Sequence, residues 1–355
     1  SDGLDVFVLC ALSCLFFLPA TAAPENRSSG AGAQSSRNEQ AAERIKAEEE
    51  SVDDDWKTFL EQSKKSYAEG NLSESSKQIE SALIAAENLR EGTRSDAFLR
   101  VGEQFLYLKQ YEKAKNLLEE AIRLRRNVPG FRSIASANAL DTLAQAYART
   151  GNLDKAKKSE EEALATYEAL KKVDTADYSI ALSNHANTLR NMHSYKESEE
   201  FFARAVAAQQ KIDKHAGSGD SVELAKILLN AGGLYCENDK LVSAKRLLDR
   251  ASKIVRAKLS PEHPLYKLTV KSERVLYKKK VDQLLKNDAN PYREELGEAV
   301  TRLGELYEEE GDPSQAAAAF KQAIAIREKL SSPDSPELKK VQNRYADSLK
   351  KMSEN

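Results

Sequence analysis

One pattern of small and apolar residues recurs along this chain and restricts what it can fold into. In LDTLAQAYARTGNLDKAKKSEEEAL, Leu140 to Leu164, these residues follow each other at spacings of three, four and seven, which place them on one face of a helix on either side of a Gly-Asn turn. The same offsets recur in four more complete copies and in a weaker first copy that begins at Trp56. In the complete copies the position of Tyr147 is taken by Phe105, Leu189, Tyr235 and Tyr307.

Each copy predicts an antiparallel pair of helices that cannot bury its apolar stripe alone. Small residues stand where the two helices of a pair approach closely, at Gly102, Ala144, Ala186, Gly232 and Gly304. A stripe left open by one pair is covered when the next pair stacks on it. The sequence therefore predicts an all-α fold, a right-handed α-solenoid of stacked helix pairs.

The pattern resembles the tetratricopeptide repeat. The spacing of 42 residues between copies, together with AIAIREKLSSPDSPEL (Ala323 to Leu338) and KIVRAKLSPEHPLY (Lys253 to Tyr266), is similar to the kinesin light chain type of that repeat. The resemblance extends from Trp56 to Lys351. It departs from the family at Ser66 and Glu160, where an aromatic residue is expected, and at Pro313, which we expect at a helix start.

The repeats predict a solenoid over residues 53–355 with one irregular part. At about 262–290 the small residues of the repeat are missing, and a stripe of Leu268, Val275, Leu284 and Leu285 predicts a long or broken helix inserted between repeats. The tail from Pro336 to Lys351 repeats only a first helix, with Val341, Tyr345, Ala346 and Leu349 on its stripe, so we expect a capping helix with a Lys-rich outer face.

The N-terminus differs from the rest of the chain. VFVLCALSCLFFL, Val6 to Leu18, precedes Pro19 and the small residues Ala20 to Ala23, which is the pattern of a secretory signal over residues 1–23, cleaved near Ala22 or Ala23. The protein is then exported to a periplasm, the cell exterior or an endomembrane lumen, with no membrane span in the mature chain. An uncleaved anchor is the alternative. Asp2 and Asp5 stand where a basic region is usual, and residue 1 is Ser, so we expect the true start of the chain to lie upstream. Residues 24–52 are polar and charged and predict a flexible linker.

The sequence shows no catalytic, cofactor or metal motif. The four histidines lack ligand spacing, His185 lies at a packing position, and Cys236 is the only cysteine after the signal. A formal charge of -2 gives no reason to expect nucleic acid. Two basic clusters, Arg123 to Arg132 and the stripe from Lys267 to Lys278, are read mainly as solvated faces, although either could meet an anionic partner. Asn26 and Asn71 each begin an Asn-x-Ser sequon.

Candidate binding residues lie on the first helices, at positions that turn away from the packing stripe toward the concave wall of the stack. In the resembled family, asparagines at the offset of Asn184 and Asn230 contact bound peptide, so that role is implied for these two. An amide can both donate to and accept from a peptide backbone, and an arginine can hold a carboxylate. The neighbouring candidates are Asn187, Asn191, Arg149 and Arg190. Amides that bond neighbouring helices are the alternative reading.

These observations favour a non-catalytic scaffold that binds an unidentified peptide or protein segment in the concave groove. The alternative is a structural protein of the cell envelope that associates with copies of itself. An enzyme with an unrecognised site is the least favoured reading, because the required constellations are missing.

Overall fold

The computed structural model describes residues 55–126, 131–217, 219–287 and 292–354. These residues form helices joined by turns and short loops, with no strand among them. The described part of α1 covers residues 55–68. The other helices are α2 Leu72–Glu87, α3 Glu91–Tyr107, α4 Tyr111–Arg126, α5 Ile134–Arg149, α6 Leu153–Ala169, α7 Ala176–Asn191, α8 Tyr195–Ala216, α9 Val222–Glu237, α10 Leu241–Lys258, α11 Pro264–Asn287, α12 Glu294–Glu310, α13 Pro313–Leu330 and α14 Pro336–Glu354.

The predicted helix pairs are confirmed, and glycine allows the two helices of a pair to touch. A Cβ atom on Gly102 would lie 2.8 Å from the Leu118 side chain, one on Gly232 would lie 2.6 Å from that of Leu248, and one on Gly304 would lie 2.6 Å from the ring of Phe320. Real Cβ atoms do not approach other atoms so closely. The small residue of the repeat is therefore required by the seam between α3 and α4, between α9 and α10, and between α12 and α13.

The turns inside the pairs share one backbone feature. One residue with positive φ reverses the chain between the helices of each pair, at Gly70, Lys109, Gly151, His193, Asp239 and Gly311. The first helices of three pairs then begin with a side-chain cap, in which Ser133, Thr175 and Ser221 accept a backbone N–H three residues later. Pro313 opens α13 next to its cap Asp312, as expected for a proline at a helix start.

The chain divides into two compact units at Val173 and Asp174. The described part of the first unit contains α1 to α6, with α3 packed against α4 and α5 against α6. Its core includes Phe105, Leu118, Leu140 and Tyr167, each at most 1% exposed. The second unit contains α7 to α14, with two apolar clusters centred on α9 with α10 and on α12 with α13.

The predicted insertion is one continuous helix, α11, and the stripe assigned to it is half right, since Leu268 and Leu284 pack against the apolar clusters. Val275 and Leu285 are 39% and 44% exposed, whereas Leu265, Val270 and Leu276 are buried. Thr269 and Glu273 are buried with them, at 1% and 4% exposure. Because α11 packs against α9 and α10 as well as α12, its buried surface includes polar residues that an apolar stripe does not reveal.

In the second unit the first helices of the repeats form one row and the second helices form another. The inserted helix α11 shifts the last repeat so that its first helix lies in the row of second helices. First helices α7 and α9 contact each other, and α11 takes the next place beside α9. The first helix of the last repeat, α12, is instead joined to the second helix α10 by an ion pair of Arg256 with Glu309 (2.7 Å), and to α14 by Arg344 with Glu305 (2.6 Å). One extra helix thus moves the last repeat out of the row that its motif would occupy.

The C-terminal helix α14 is present as expected, although two of its four stripe residues are not covered. Val341 is buried, whereas Leu349 is 44% exposed and Ala346 is exposed. Leu338 and Ser348 are buried in their place. Ser348 donates to Glu308 of α12, so this end of the unit is held partly by polar contacts.

Candidate functional site

The predicted binding residues of the second unit lie on two neighbouring first helices, α7 and α9. Contrary to the expectation that they turn away from packed surface, four of them are buried: Asn184 is 7% exposed, Asn187 4%, Arg190 6% and Asn230 5%. Every residue from 181 to 190 is buried, so α7 is covered on all of its faces. Both α8 and α9 pack against α7, whereas a helical stripe in the sequence reports only one packed face.

Arg190 is committed to a partner inside the protein. Its Nε donates to Oε2 of Glu237 at 2.7 Å and its second terminal nitrogen donates to the other carboxylate oxygen, which makes a two-point bridge from α7 to α9. A Cβ atom at Gly233 would meet Nη1 of Arg190 at 3.3 Å, so the guanidinium passes over the bare backbone of that glycine. A ligand carboxylate would therefore compete with Glu237 for Arg190.

Most side-chain amides of α7 and α9 are almost entirely removed from water. Asn184 and Asn230 both have partners in the protein, and Asn191 is half-buried at the end of α7. Ser183, which precedes Asn184, is fully buried, and its hydroxyl has no hydrogen-bond partner. The peptide-binding role of Asn184, Asn187, Asn191, Asn230 and Arg190 therefore stays a prediction, and so does the alternative in which the amides bond neighbouring helices.

Arg149 belongs to the first unit, where it ends α5. Its guanidinium lies 5.6 Å from the ring centre of Tyr111 on α4, and the residue is half-buried. This contact places a cation over an aromatic face, an arrangement that stabilises by about 0.5–1 kcal/mol at such sites. That Arg149 shares a concave wall with the asparagines of α7 and α9 stays a prediction.

A chain of buried polar groups in the second unit was missed by sequence reasoning. Ser179 donates to Gln209 (2.7 Å), Gln209 donates to Asp213 (2.9 Å), and Asp213 accepts the backbone N–H of Ser221 (2.9 Å). Ser221 is the cap of α9, so the chain of bonds ties α7 and α8 to the start of the next repeat. Gln209 and Asp213 follow the buried Ala205 at spacings of four, which is the signal that could have found them.

A second missed feature is an arginine and glutamate network in the last helices. Glu273 of α11 accepts from Arg256 of α10 at 2.9 Å, and Arg302 of α12 lies 3.5 Å from the same oxygen. The Glu273 side chain is 5% exposed, so its charge is compensated within the protein by these two guanidinium groups. The network joins three consecutive helices where the two rows exchange.

The fold pairs most of the first basic cluster with acidic residues, and it pairs one residue of the α11 stripe. Arg123, Arg125 and Arg126 pair with Glu120, Asp96 and Glu162, and Arg274 of the α11 stripe pairs with Glu310. Such pairing agrees with the reading of these clusters as solvated faces rather than as an anionic binding surface.

A cavity in the first unit opens between α1 and α3 on the row of first helices, with a volume of about 500 Å³. Its floor contains the buried Trp56 and Leu60. Its rim is mixed in charge and contains Lys57, Glu61, Thr93, Asp96 and Arg100. An apolar floor with a polar rim is the usual lining of a ligand pocket.

Chemistry-bearing residues are scarce in the described ranges. Among these residues, no group of three or more His, Cys, Asp or Glu side chains is arranged to hold a metal ion. His185 is 2% exposed and packs edge-on against Phe201 with ring centres 4.4 Å apart, as expected for a packing histidine. Burial raises the pKa of the Cys236 thiol to about 11, which makes it a poor nucleophile. None of the helices in the described part of the chain is long and apolar enough to cross a membrane.

Comparison with known protein families identifies the repeats. Two tetratricopeptide repeat models match the chain, one over residues 93–169, which spans α3 to α6, and one over residues 298–337, which covers most of α12 and all of α13. A search of curated proteins finds no match.

Solved structures with the same architecture have low sequence identity. Aspartyl phosphate phosphatase F from Bacillus subtilis matches with a TM-score of 0.51 and 12% identity, covering 77% of this chain and 70% of its own. A Rap protein complexed with competence and sporulation factor gives 0.50 and 15%, covering 78% and 75%. TPR-like repeats from Podosopora anserina, described as those of a kinesin light chain, give 0.48 and 18%, covering 57% and 94%.

The helix pairs, the glycine seams and the two matching models define the class of this molecule, a helical-repeat solenoid of the kind that serves as a protein-interaction scaffold. The chain is a tetratricopeptide repeat protein. The family and the all-α fold class predicted from the sequence are thereby confirmed.

Proposed function

We propose that this protein is a non-catalytic, exported scaffold that holds an extended segment of a partner protein along its first helices. The observation that carries the proposal is the set of buried amides Asn184, Asn187 and Asn230 on the adjacent helices α7 and α9, which the bridge of Arg190 with Glu237 joins. Amides can donate to and accept from the main chain of a peptide whatever its side chains are.

The bridge of Arg190 with Glu237 limits the kind of ligand that fits. With both carboxylate oxygens of Glu237 engaged, the pair carries no net charge, and a second carboxylate would compete with Glu237 for Arg190. The neutral amides beside it favour recognition of peptide backbone over recognition of a charged side chain. The scaffold thus selects its partner by the path of the main chain and by the shape of the neighbouring surface.

Export is the second part of the proposal. It rests on the apolar run from Val6 to Leu18 and the small residues after Pro19, which lie outside the described residues. The shortage of cysteine agrees with a fold that depends on repeat stacking and needs no disulfide, since Cys236 is a free, buried thiol.

The binding proposal is tested by capture with residues 24–355 as bait and material from the native source. The double variant Asn184→Ala with Asn230→Ala should weaken binding of the recovered partner at least tenfold, which corresponds to about 1.4 kcal/mol. The matched control is Asn152→Ala with Asn343→Ala, since both of these asparagines are exposed. Because Asn184 and Asn230 are buried, thermal unfolding of each variant is measured alongside.

Equal loss of binding in the control pair would exclude the amide cluster as the binding site. The variant pair Lys271→Ala with Arg274→Ala, on the basic stripe of α11, separates a further case. Loss of binding in that pair alone would move the partner to the outer charged surface, although Arg274 already pairs with Glu310.

Self-association is the second candidate, favoured by apolar residues left open in the last helices. Leu330, Leu349 and Met352 are 46%, 44% and 45% exposed in α13 and α14. Light scattering on residues 24–355 at increasing concentration distinguishes the two functions. A mass that rises with concentration in the absence of any partner supports assembly with other copies of the chain.

A further inference from the structure

The sequon Asn71-Leu72-Ser73 occupies the turn between α1 and α2, and no part of the proposed scaffold uses it. All three residues are exposed, with Leu72 at 56%. The turn depends on Gly70, whose φ of +80° reverses the chain directly before the asparagine. An Asn-x-Ser tripeptide is an acceptor for N-linked sugar only where the chain is accessible, and this one is accessible over its full length.

The oxygen and the nitrogen of the Asn71 side-chain amide differ in their hydrogen bonding. Its Oδ1 accepts the backbone N–H of Glu74 at 3.2 Å and so caps the first turn of α2. No hydrogen bond within the described residues engages its Nδ2. The oxygen thus holds the side chain in place, and the nitrogen, which is the atom that would carry a sugar, stays available.

The capping bond is compatible with a modified nitrogen. A sugar attached to Nδ2 leaves the amide planar and leaves its carbonyl oxygen unchanged as an acceptor. The helix N-terminus, whose capping contributes about 1 kcal/mol, keeps its partner after the modification. The fold therefore does not oppose a sugar at this position.

The first unit contains a second turn that also begins with Gly-Asn-Leu, and a comparison of the two turns shows what distinguishes Asn71. Gly151 has a φ of +79° and is followed by Asn152 and Leu153, and Asn152 is exposed. There the Nδ2 of Asn152 donates to Oγ1 of Thr150 at 2.9 Å, and the third residue is Asp154 in place of serine. Only one of these two matching turns combines the hydroxyl residue with an available nitrogen.

We propose that Asn71 is an N-glycosylation site of the exported protein, an inference that rests on the proposed export. The donor is an oligosaccharide linked through diphosphate to a polyprenyl lipid. The Asn71 nitrogen attacks C1 of the first sugar, the bond from C1 to the phosphate oxygen breaks, the lipid diphosphate leaves with the electron pair, and Nδ2 loses one proton to a base of the transferase.

The test is site mapping on the full chain secreted by a eukaryotic cell line and on mature protein from the native source. Peptide N-glycosidase in heavy-oxygen water should convert Asn71 into a heavy-labelled Asp and lower the mass of the protein. Asn152 in the same digest serves as the unmodified control. Asn26 starts the only other sequon, and its own peptide separates it from Asn71.

Two variants separate the loss of the site from a loss of the fold. Asn71→Asp keeps a carboxylate that can cap α2, so it should lose the sugar and unfold at the temperature of the unmodified parent. Ser73→Ala removes the hydroxyl of the sequon and should also lose the sugar. Retention of a sugar on the α1 to α2 turn in either variant contradicts the assignment.

Failure of export and failure of the site give different results. If the full chain is retained in the cells, export by its own N-terminus is wrong, and residues 24–355 behind an established secretion signal then test Asn71 separately. Secreted protein, or mature protein from the native source, in which the Asn71 peptide is recovered unmodified overturns the proposal.

Discussion

Arg190 and Glu237 form a two-point bridge between neighbouring first helices, and the backbone of Gly233 leaves room for it. The two residues are 47 positions apart, close to the 46 residues that separate these two repeats. The bridge therefore joins one repeat to the next at nearly equivalent positions. It holds α7 beside α9 and leaves this pair of side chains without net charge.

Breaking this bridge should destabilise the second unit. In Glu237→Gln, the Arg190 guanidinium, 6% exposed, keeps its charge and loses its counterion. Because Glu237 is 38% exposed and water can partly replace it, we expect a loss of about 2 kcal/mol in the free energy of unfolding. Urea unfolding followed by circular dichroism measures the change. The control is Glu61→Gln, which removes an exposed pair with Lys64 and should change stability by about 0.5 kcal/mol or less. Equal effects in the two variants would show that the bridge contributes no more than a surface pair.

The glycine seam predicts opposite signs for two glycine-to-alanine substitutions. Gly304→Ala places a Cβ atom 2.6 Å from the ring of Phe320, which is fully buried and cannot swing into solvent. Overpacking of this kind costs about 1–3 kcal/mol, whereas the gain in helix propensity is about 1 kcal/mol. Gly92→Ala in α3 meets nothing within 4 Å and should stabilise the protein slightly. Melting temperatures measured by calorimetry compare the variants, and a stabilising Gly304→Ala would contradict the seam.

Cys236 should react with alkylating reagents only slowly in the folded protein. Burial raises the pKa of its thiol from 9.0 to about 11, so at pH 8 the folded chain contains about a hundredfold less thiolate than the unfolded chain. Since the folded pKa is the higher one, this group favours the fold below pH 9, and its contribution is lost as the pH rises from about 9 toward 11. Iodoacetamide labelling with and without denaturant measures the ratio of the two rates. Equal rates would mean that the thiol is accessible.

The predicted signal can be checked by counting thiols and by sequencing. If the segment up to Ala22 or Ala23 is removed, the mature protein begins near Ala23 or Pro24 and has one thiol, whereas the unprocessed chain has three. N-terminal sequencing and titration with a thiol reagent in denaturant, both on protein from the native source, measure these values. Three thiols together with an intact run from Val6 to Leu18 would identify an anchor.

The helix pairs could be predicted because each depends on residues close in sequence. Gly102 and Leu118, or Gly304 and Phe320, are 16 residues apart, and the repeated offsets show both members of the pair. The turn at Gly151 and the proline at the start of α13 are likewise determined by local backbone preferences. Five copies of one pattern therefore sufficed to predict the fold class.

The sequence allowed the candidate residues to be placed on α7 and α9, but it did not show that they are buried. Asn184 and Asn230 were found from their shared offset and Asn187 from its position off the packing stripe, whereas their burial depends on the neighbouring helices. In the same way, α11 could be expected as a helix, while the burial of Glu273 depends on Arg256 and Arg302, which the neighbouring helices bring to it.

The sequence by itself thus determined the repeat, its helix pairs and the close contacts within them, because local periodicity and small residues specify a packed stripe. Only the tertiary structure decided that Arg190 is neutralised by Glu237, that the extra helix α11 moves α12 into the other row, and which polar side chains are removed from water. These outcomes depend on charges and surfaces that approach from different repeats, and the spacing of residues within one repeat contains no information about them.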